Sequence, residues 1–210
     1  MSSVQIINNI DVISPKTYKC VLVGDGGVGK SVYLTQLIHS KFVTKYIATL
    51  GVDVQILNGN ARGNTVRFNM WDTAGTEFFS GLRDGYYIQA DCALVFFDLG
   101  SRLTFKNASK WLNDVKKYTN NIVLVGNKKD ISERKVTMED VLKLTQGNIP
   151  YYEISCKTNE SLTDPIDKLC EMLNVYPAKA VQDQSIQAQS IPAQAAQAQS
   201  WGEYLYSFIG

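Results

Sequence analysis

An eight-residue stretch, GDGGVGKS from Gly24 to Ser31, has the residue types and spacing of a phosphate-binding loop. It matches G-x-x-x-x-G-K-[ST] directly after a predicted strand and directly before a predicted helix, which is the context that such a loop needs. The glycines let successive backbone NH groups surround phosphate oxygens, while Lys30 supplies charge and the Ser31 hydroxyl is placed to ligate Mg²⁺. The predicted phosphate-binding residues are Gly24, Asp25, Gly26, Gly27, Val28, Gly29, Lys30, Ser31 and Val32.

A second motif, NKKD, follows the apolar segment VLVG and predicts which base the nucleotide carries. The carboxylate of Asp130 can accept two hydrogen bonds from the guanine edge, whereas adenine offers no matching pair of donors. Because a buried carboxylate without a partner is costly, such a site can discriminate between bases by ~10⁴. The weaker SCK segment is expected to contact the base through backbone NH groups. The predicted base-binding residues are Asn127, Lys128, Lys129, Asp130, Ser155, Cys156 and Lys157.

The elements that position these motifs alternate between strands and helices, which is typical of βα units around a mostly parallel sheet. The predicted strands are YKCVLVG, VDVQIL, TVRFNMWD, CALVFFD, NIVLVGN and YYEISC. The predicted helices span about 30–39, 81–88, 103–118, 138–145 and 162–173. The stretch 58–64 is predicted as the loop of a hairpin. Trp111, Leu112, Val115 and Tyr118 recur at helical spacing and are expected to face the core. The predicted fold class is α/β, with a mixed six-stranded sheet and about five helices on both faces.

Two further segments carry a family resemblance. KYIATLGVDV (45–54) and GLRDGYYIQA (81–90), together with the motifs above, resemble Ran-like small GTPases more than Rab, Ras or Rho proteins. The resemblance covers about residues 18–173. It implies a P-loop GTPase domain that binds GTP or GDP with Mg²⁺ and acts as a nucleotide-dependent switch. It also implies that the chain is a GTP hydrolase of the EC 3.6.5 type. It also implies protein effectors, an exchange factor and an activating protein that contact the switch regions, and a part in nucleocytoplasmic transport.

The same resemblance assigns roles to individual residues. Phe42 is expected to stack on the guanine, Tyr46 to lie near the nucleotide, and Thr49 to ligate Mg²⁺ and contact the γ-phosphate. Asp72 is expected to hold the metal through water, and the Gly75 NH to sense the γ-phosphate. Asp72 and Gly75 belong to the DTAG segment, whose predicted nucleotide-binding residues are Asp72, Thr73, Ala74 and Gly75. Since the third phosphate contacts both switch loops, its loss is expected to release both.

The next residue, Thr76, departs from the pattern. Ran and most relatives carry there a glutamine that orients the attacking water, and threonine is too short to do so. The sequence therefore predicts intrinsic hydrolysis slower by on the order of 10²-fold and low activity without an activating protein. Rap GTPases resemble this chain in having threonine there and depend on a carboxamide brought by their activating protein. The alternative interpretation is that turnover is normal despite Thr76. The expected catalytic residues are Thr76, Lys30 and Thr49, and the expected metal ligands are Ser31, Thr49 and Asp72.

Two other departures concern partner binding. Residues 143–148 read KLTQGN where Ran carries a basic cluster, and the chain ends in WGEYLYSFIG where Ran ends in acidic residues. An electrostatic latch between the two is therefore not expected, and transport-factor binding is in doubt. We predict a flexible arm at 1–15, the GTPase domain at 16–176, and a Gln/Ala/Ser-rich linker with an aromatic end at 177–210.

Composition limits the remaining possibilities. A formal net charge of +1 over 210 residues argues against nucleic acid or an anionic membrane as the main partner. The four cysteines are widely spaced, so buried thiols are expected rather than a metal site. Without an apolar span or a prenylation cysteine, we expect a soluble cytoplasmic or nuclear monomer without a lipid anchor, which disfavours a Rab-like trafficking role. The alternative to a switch is a constitutively GTP-bound effector-binding module or decoy.

Overall fold

The computed structural model describes residues 16–43, 47–61, 64–75 and 80–175. These residues form a six-stranded sheet in the order β2-β3-β1-β4-β5-β6, in which β2 and β3 are antiparallel and the other neighbours are parallel. The strands are β1 (Lys16–Val23), β2 (Val52–Ala61), β3 (Asn64–Thr73), β4 (Cys92–Asp98), β5 (Ile122–Asn127) and β6 (Tyr151–Glu153). The helices are α1 (Lys30–His39), α2 (Ser80–Tyr87), α3 (Arg102–Val115), α4 (Met138–Thr145) and α5 (Asp164–Met172).

The central strand β1 shows how the sheet is covered on both faces. Tyr18, Cys20 and Leu22 point into one hydrophobic cluster, and the intervening Val21 and Val23 point into the other. Helices α1 and α5 complete the first cluster, while α2, α3 and α4 complete the second. Strands β4 and β5 are buried along nearly their whole length, as expected of strands covered on both faces. The predicted α/β fold class is confirmed.

The sheet brings the sequence motifs to one edge. The glycine-rich loop leaves the carboxyl end of β1, the DTAG segment (72–75) begins on the last two residues of β3, and NKKD begins on the last residue of β5. Since β1 lies between β3 and β4, successive connections leave it in opposite directions across the sheet. The carboxyl ends of strands at such a reversal are where open α/β sheets bind ligands.

The hairpin between β2 and β3 is tighter than the sequence predicted. A loop was expected over 58–64, but β2 continues to Ala61 and β3 begins at Asn64, and these two residues are paired. Only residues 62 and 63 therefore separate the two strands in the sequence.

Two predicted elements end three residues earlier in the structure. Helix α3 ends at Val115 rather than at 118, because the Tyr118 N–H bonds the Val115 carbonyl at 2.9 Å in a tighter turn. Strand β6 ends at Glu153 rather than at 156, because Ser155 leaves the sheet and forms an isolated bridge with Glu160. The second change places Ser155 beside the NKKD motif.

All four cysteines are free and buried, as the sequence predicted. Burial raises the pKa of the Cys156 thiol to about 12, so this side chain stays protonated near neutral pH. Within the described part of the chain, no helix has the length and apolar character required to cross a membrane. The predicted arm, the tail from 177 onward, Tyr46 and Thr76 lie outside the described residues, so the domain boundaries stay predictions.

An ion pair at the end of β6 gives a testable pH dependence. Burial opposes the charge of Glu153, but hydrogen bonds from Arg134 and Tyr151 outweigh it and hold the pKa of Glu153 below its usual value. The resulting stability is present above the unfolded-state pKa and is lost as the pH falls through the folded-state pKa. We expect Glu153→Gln to lower the free energy of unfolding by about 1 kcal/mol at pH 7, and by less at pH 3.

Urea unfolding of the wild type and the variant at both pH values measures this difference. Glu133→Gln changes an exposed residue of the same region and serves as the control. A difference between wild type and Glu153→Gln that stays constant from pH 7 to pH 3 would contradict the assignment.

Candidate functional site

The glycine-rich loop turns directly into helix α1. Gly29 precedes the helix with φ of 101°, in the left-handed region that favours glycine. A Cβ at Gly29 would overlap the side-chain amide of Asn127, so a larger residue is excluded by space as well as by conformation. The Asn127 amide in turn donates to the Val28 carbonyl at 2.9 Å. The first motif and the NKKD motif are therefore packed directly against each other.

The side chain of Lys30 lies inside this loop. It is only 5% exposed, and its ammonium donates to the carbonyls of Gly24 at 2.7 Å and Asp25 at 3.0 Å. Burial lowers the pKa of Lys30 to about 8, which the charges of Asp72 and Asp25 only partly oppose. Among the described residues, no carboxylate lies within ion-pair distance of this ammonium. A buried cation held by neutral carbonyls is suited to receive an anionic ligand.

Three side-chain oxygens converge beside the loop. The Ser31 Oγ lies 3.0 Å from the Thr49 Oγ1 and 2.5 Å from the Asp72 Oδ2, and the two outer groups are 3.4 Å apart. Ser31 comes from the first turn of α1, Thr49 from the segment before β2, and Asp72 from the end of β3. Three residues that are distant in the sequence are thus brought together, as the predicted metal set requires.

The chemistry of these oxygens fits Mg²⁺. Two hydroxyls and one carboxylate are hard oxygen donors of the kind that Mg²⁺ prefers. The second carboxylate oxygen of Asp72 is buried and has no hydrogen-bond partner within the described ranges. Burial raises the pKa of Asp72 above its usual value, against the hydrogen bond from Ser31 and the charge of Lys30. A cation, or water bound to it, would satisfy this oxygen and favour the ionised form.

The segment at the end of β3 lies against the glycine-rich loop. The Thr73 hydroxyl donates to the Leu22 carbonyl at 2.7 Å, and the Ala74 N–H donates to the Gly51 carbonyl at 2.9 Å. The Gly75 carbonyl accepts from the Gly26 N–H at 3.1 Å. A Cβ at Gly75 would overlap the backbone of the glycine-rich loop. This position is therefore close enough to the loop to respond to a ligand there.

Asn127 organises the NKKD motif. Its side-chain carbonyl accepts from the Lys128 N–H at 2.7 Å and from the Cys156 N–H at 3.3 Å. The ammonium of Lys128 pairs with the carboxylate of Asp98 at 2.8 Å, and Lys129 pairs with Glu160. Asn127 thus ties the end of β5 to the glycine-rich loop on one side and to the SCK segment on the other.

Asp130 is held by the SCK segment. The Ser155 Oγ, which is fully buried, donates to the Asp130 Oδ1 at 2.6 Å and accepts from the Thr158 N–H at 3.1 Å. The Lys157 ammonium lies 3.7 Å from the Asp130 Oδ2. These contacts orient the carboxylate while leaving acceptor capacity on both oxygens. The sequence predicted backbone contacts from this segment; the support that the Ser155 side chain gives to Asp130 was not predicted.

The remaining predicted residues are less closely tied to the site. Val28 is buried, and Val32 packs against the first hydrophobic cluster. Phe42 follows α1 and is 39% exposed, and the structure gives it no ring contact with another described aromatic residue. Tyr46 and Thr76 lie outside the described residues, so their predicted roles stay predictions.

A polar contact that the sequence did not predict joins the glycine-rich loop to α3. The Trp111 indole N–H donates to the Asp25 Oδ1 at 2.7 Å, and the Asn107 amide donates to the Asp25 Oδ2 at 2.8 Å. Helical spacing predicted Trp111 as a core residue, and it is indeed only 3% exposed. The available signal was the indole N–H itself, because a buried indole N–H usually finds an acceptor.

The sheet order, the glycine-rich loop before α1 and the oxygens around Ser31 define a P-loop nucleotide-binding domain. The model of the Ras family matches residues 19–174, which is more than half of the chain and includes every motif described above. The chain therefore belongs to the Ras family, whose members are small GTPases that act as nucleotide-binding switches.

Proposed function

We propose that this chain is a Ran-like small GTPase that binds GTP and GDP with Mg²⁺ and hydrolyses GTP slowly. The observation that carries the binding proposal is the buried Lys30 ammonium, which is held by neutral carbonyls and lies near enough to the Asp72 carboxylate for the two charges to interact. The hydroxyls of Ser31 and Thr49 contact the same carboxylate. An anion with a bound divalent cation satisfies both groups at once. A nucleoside triphosphate with Mg²⁺ is such an anion.

The proposed base is guanine. The Asp130 carboxylate is held in place by Ser155 and Lys157, and it offers acceptors to the two donors on the guanine edge. Adenine lacks that pair of donors. Phe42 and the backbone of the SCK segment complete the proposed base site, by the resemblance given above.

The proposed metal ligands are Ser31 and Thr49, with Asp72 acting through water. When bound, Mg²⁺ would neutralise charge that develops on the outer phosphates. The chain's own contribution is to place the two hydroxyls, from α1 and from the segment before β2, 3.0 Å apart and in contact with the Asp72 carboxylate. Thr49 and Gly75 would then be held together through the third phosphate and released after its loss.

Slow hydrolysis is proposed from Thr76. Lys30 and a bound Mg²⁺ would stabilise charge on the phosphates, but neither would orient the attacking water. A threonine hydroxyl does not reach as far as a glutamine carboxamide. An activating protein that supplies the missing group would then control the return to GDP. The segments 45–54 and 81–90 support the Ran-like assignment, while the largely neutral residues 143–148 count against a full set of Ran transport partners.

A competition experiment tests the binding proposal. The purified chain is loaded with fluorescent GDP in the presence of Mg²⁺, and displacement by GTP, GDP and ATP is measured. We expect GTP and GDP to compete at least about 10³-fold better than ATP. Equal displacement by GTP and ATP would overturn the guanine assignment.

Ser31→Ala removes one proposed metal ligand. We expect nucleotide binding by this variant not to depend on Mg²⁺.

A second candidate function is a constitutively GTP-bound module that occupies effectors without useful hydrolysis. Thr76 is the observation that favours it, because the residue that normally handles the water is absent. Single-turnover hydrolysis with and without an activating protein separates the two functions. Strong stimulation supports a switch, and no stimulation supports the module.

A further inference from the structure

The contact between Asp25 and helix α3 is a second fixing point for the glycine-rich loop. Both carboxylate oxygens of Asp25 are used: Oδ1 by the Trp111 indole N–H and Oδ2 by the Asn107 amide, at 2.7 and 2.8 Å. Asn107 and Trp111 are four residues apart and therefore lie on the same face of α3. Hydrogen bonds to a charged acceptor are stronger than those between neutral groups. The pair thus ties the loop, which leads into α1 on one face of the sheet, to α3 on the other face.

The direction of the Asp25 side chain matters because of its charge. Asp25 lies inside the loop that surrounds the proposed phosphates, and its charge is near enough to act on the Lys30 ammonium. A carboxylate turned toward the nucleotide would repel the phosphates. Asn107 and Trp111 direct it toward α3 and satisfy both of its oxygens with donors.

The backbone of Asp25 connects this contact to the rest of the site. Its carbonyl accepts from the Lys30 ammonium at 3.0 Å. A Cβ at Gly75 would lie 2.6 Å from the same carbonyl oxygen, so the loop that is proposed to sense the γ-phosphate rests against Asp25. The next N–H in the loop, on Gly26, bonds the Gly75 carbonyl at 3.1 Å. A displacement of Asp25 would therefore move both Lys30 and Gly75.

The geometry points to Asn107 and Trp111 as positioning residues for nucleotide binding, which act through Asp25 to hold the glycine-rich loop in its phosphate-binding form. This inference rests on the proposed guanine-nucleotide binding. It makes α3 a control point: a partner that shifts α3 alters how long the nucleotide stays bound, without touching the nucleotide itself.

The test compares nucleotide dissociation rates of the full chain and its variants. Fluorescent GDP or GTP is chased with excess unlabelled nucleotide. Trp111→Phe removes the N–H donor but keeps an aromatic ring in the core, and Asn107→Asp places a second carboxylate against Asp25. We expect dissociation to be about tenfold faster in Trp111→Phe and faster still in Asn107→Asp. Lys110→Ala changes an exposed residue of the same helix and is expected to behave as the wild type.

A reciprocal exchange separates positioning from simple loss of stability. Asp25→Asn combined with Asn107→Asp reverses donor and acceptor, and still leaves an oxygen for the Trp111 indole N–H. We expect the double variant to regain a dissociation rate within about threefold of the wild type, whereas Asn107→Asp alone does not. Thermal unfolding of each loaded variant is measured alongside.

The outcomes are distinguishable. Wild-type dissociation rates in Trp111→Phe and Asn107→Asp, or a double variant as fast as Asn107→Asp, would overturn the positioning role even if unfolding temperatures fall. If Trp111→Phe does not fold, Asn107→Ala at the partly exposed position provides the same comparison. A wild-type chain that binds no guanine nucleotide would instead refute the proposed function.

Discussion

Replacing Lys30 with alanine is expected to weaken binding of GTP and GDP by about 10²- to 10³-fold. The ammonium is buried inside the loop that is proposed to bind the phosphates, and breaking a buried charge pair costs about 3–5 kcal/mol. The variant should still fold, because in the absence of nucleotide the same burial disfavours the charged lysine and lowers its pKa. Equilibrium titration with fluorescent GDP measures the change in affinity.

The matched control is Lys116→Ala, which removes an exposed lysine at the end of α3 and should leave the affinity unchanged. Circular dichroism and thermal unfolding of the nucleotide-free proteins establish that both variants are folded. A folded Lys30→Ala protein that binds GDP within about threefold of the wild type would contradict the placement of the phosphates in the glycine-rich loop.

Replacing Asp130 with alanine is expected to remove most of the selectivity for guanine. Two donors on the guanine edge would lose their charged acceptor, which predicts a loss of about 10³-fold in GTP affinity. ATP affinity should change little, since adenine does not use that acceptor. The preference for GTP over ATP should therefore fall to about tenfold or less. The competition assay with fluorescent GDP measures both affinities.

Glu133→Ala serves as the control for Asp130→Ala, because it removes an exposed carboxylate three residues further along the same loop. A parallel loss of GTP and ATP affinity in Asp130→Ala would indicate collapse of the loop instead of lost base recognition. Ser155→Ala is expected to produce a weaker form of the same defect, because it frees the carboxylate without removing it.

The parts of the fold that the sequence predicted well are those with strong local signals. Strand β4 and helices α1 and α4 have the predicted boundaries, because continuous apolar segments and helical periodicity determine them. The end of β6 was predicted poorly. Ile154 and Cys156 are apolar and resemble a continuation of the strand. The bridge between Ser155 and Glu160, a contact with a later part of the chain, takes this segment out of the sheet.

The proposed site likewise has parts that the sequence predicted and a contact that it did not predict. The glycine-rich loop and NKKD are contiguous in the sequence, and their types and spacing were sufficient to predict them. The contact of Asp25 with Asn107 and Trp111 spans more than eighty residues. Helical spacing correctly indicated that Trp111 is buried, but it carries no information about the acceptor of the indole N–H. Pairing between distant side chains requires the topology, which brings α3 beside the end of β1.

The proposed function is that of a guanine-nucleotide switch whose return to GDP is slow because of Thr76. Single-turnover conversion of bound GTP to GDP, followed in the wild type and in Thr76→Gln, tests it most directly. We expect slow conversion in the wild type and a rate about 10- to 100-fold higher in Thr76→Gln, with unchanged GTP affinity. Fast conversion in the wild type, or an equal rate in Thr76→Gln, would contradict it.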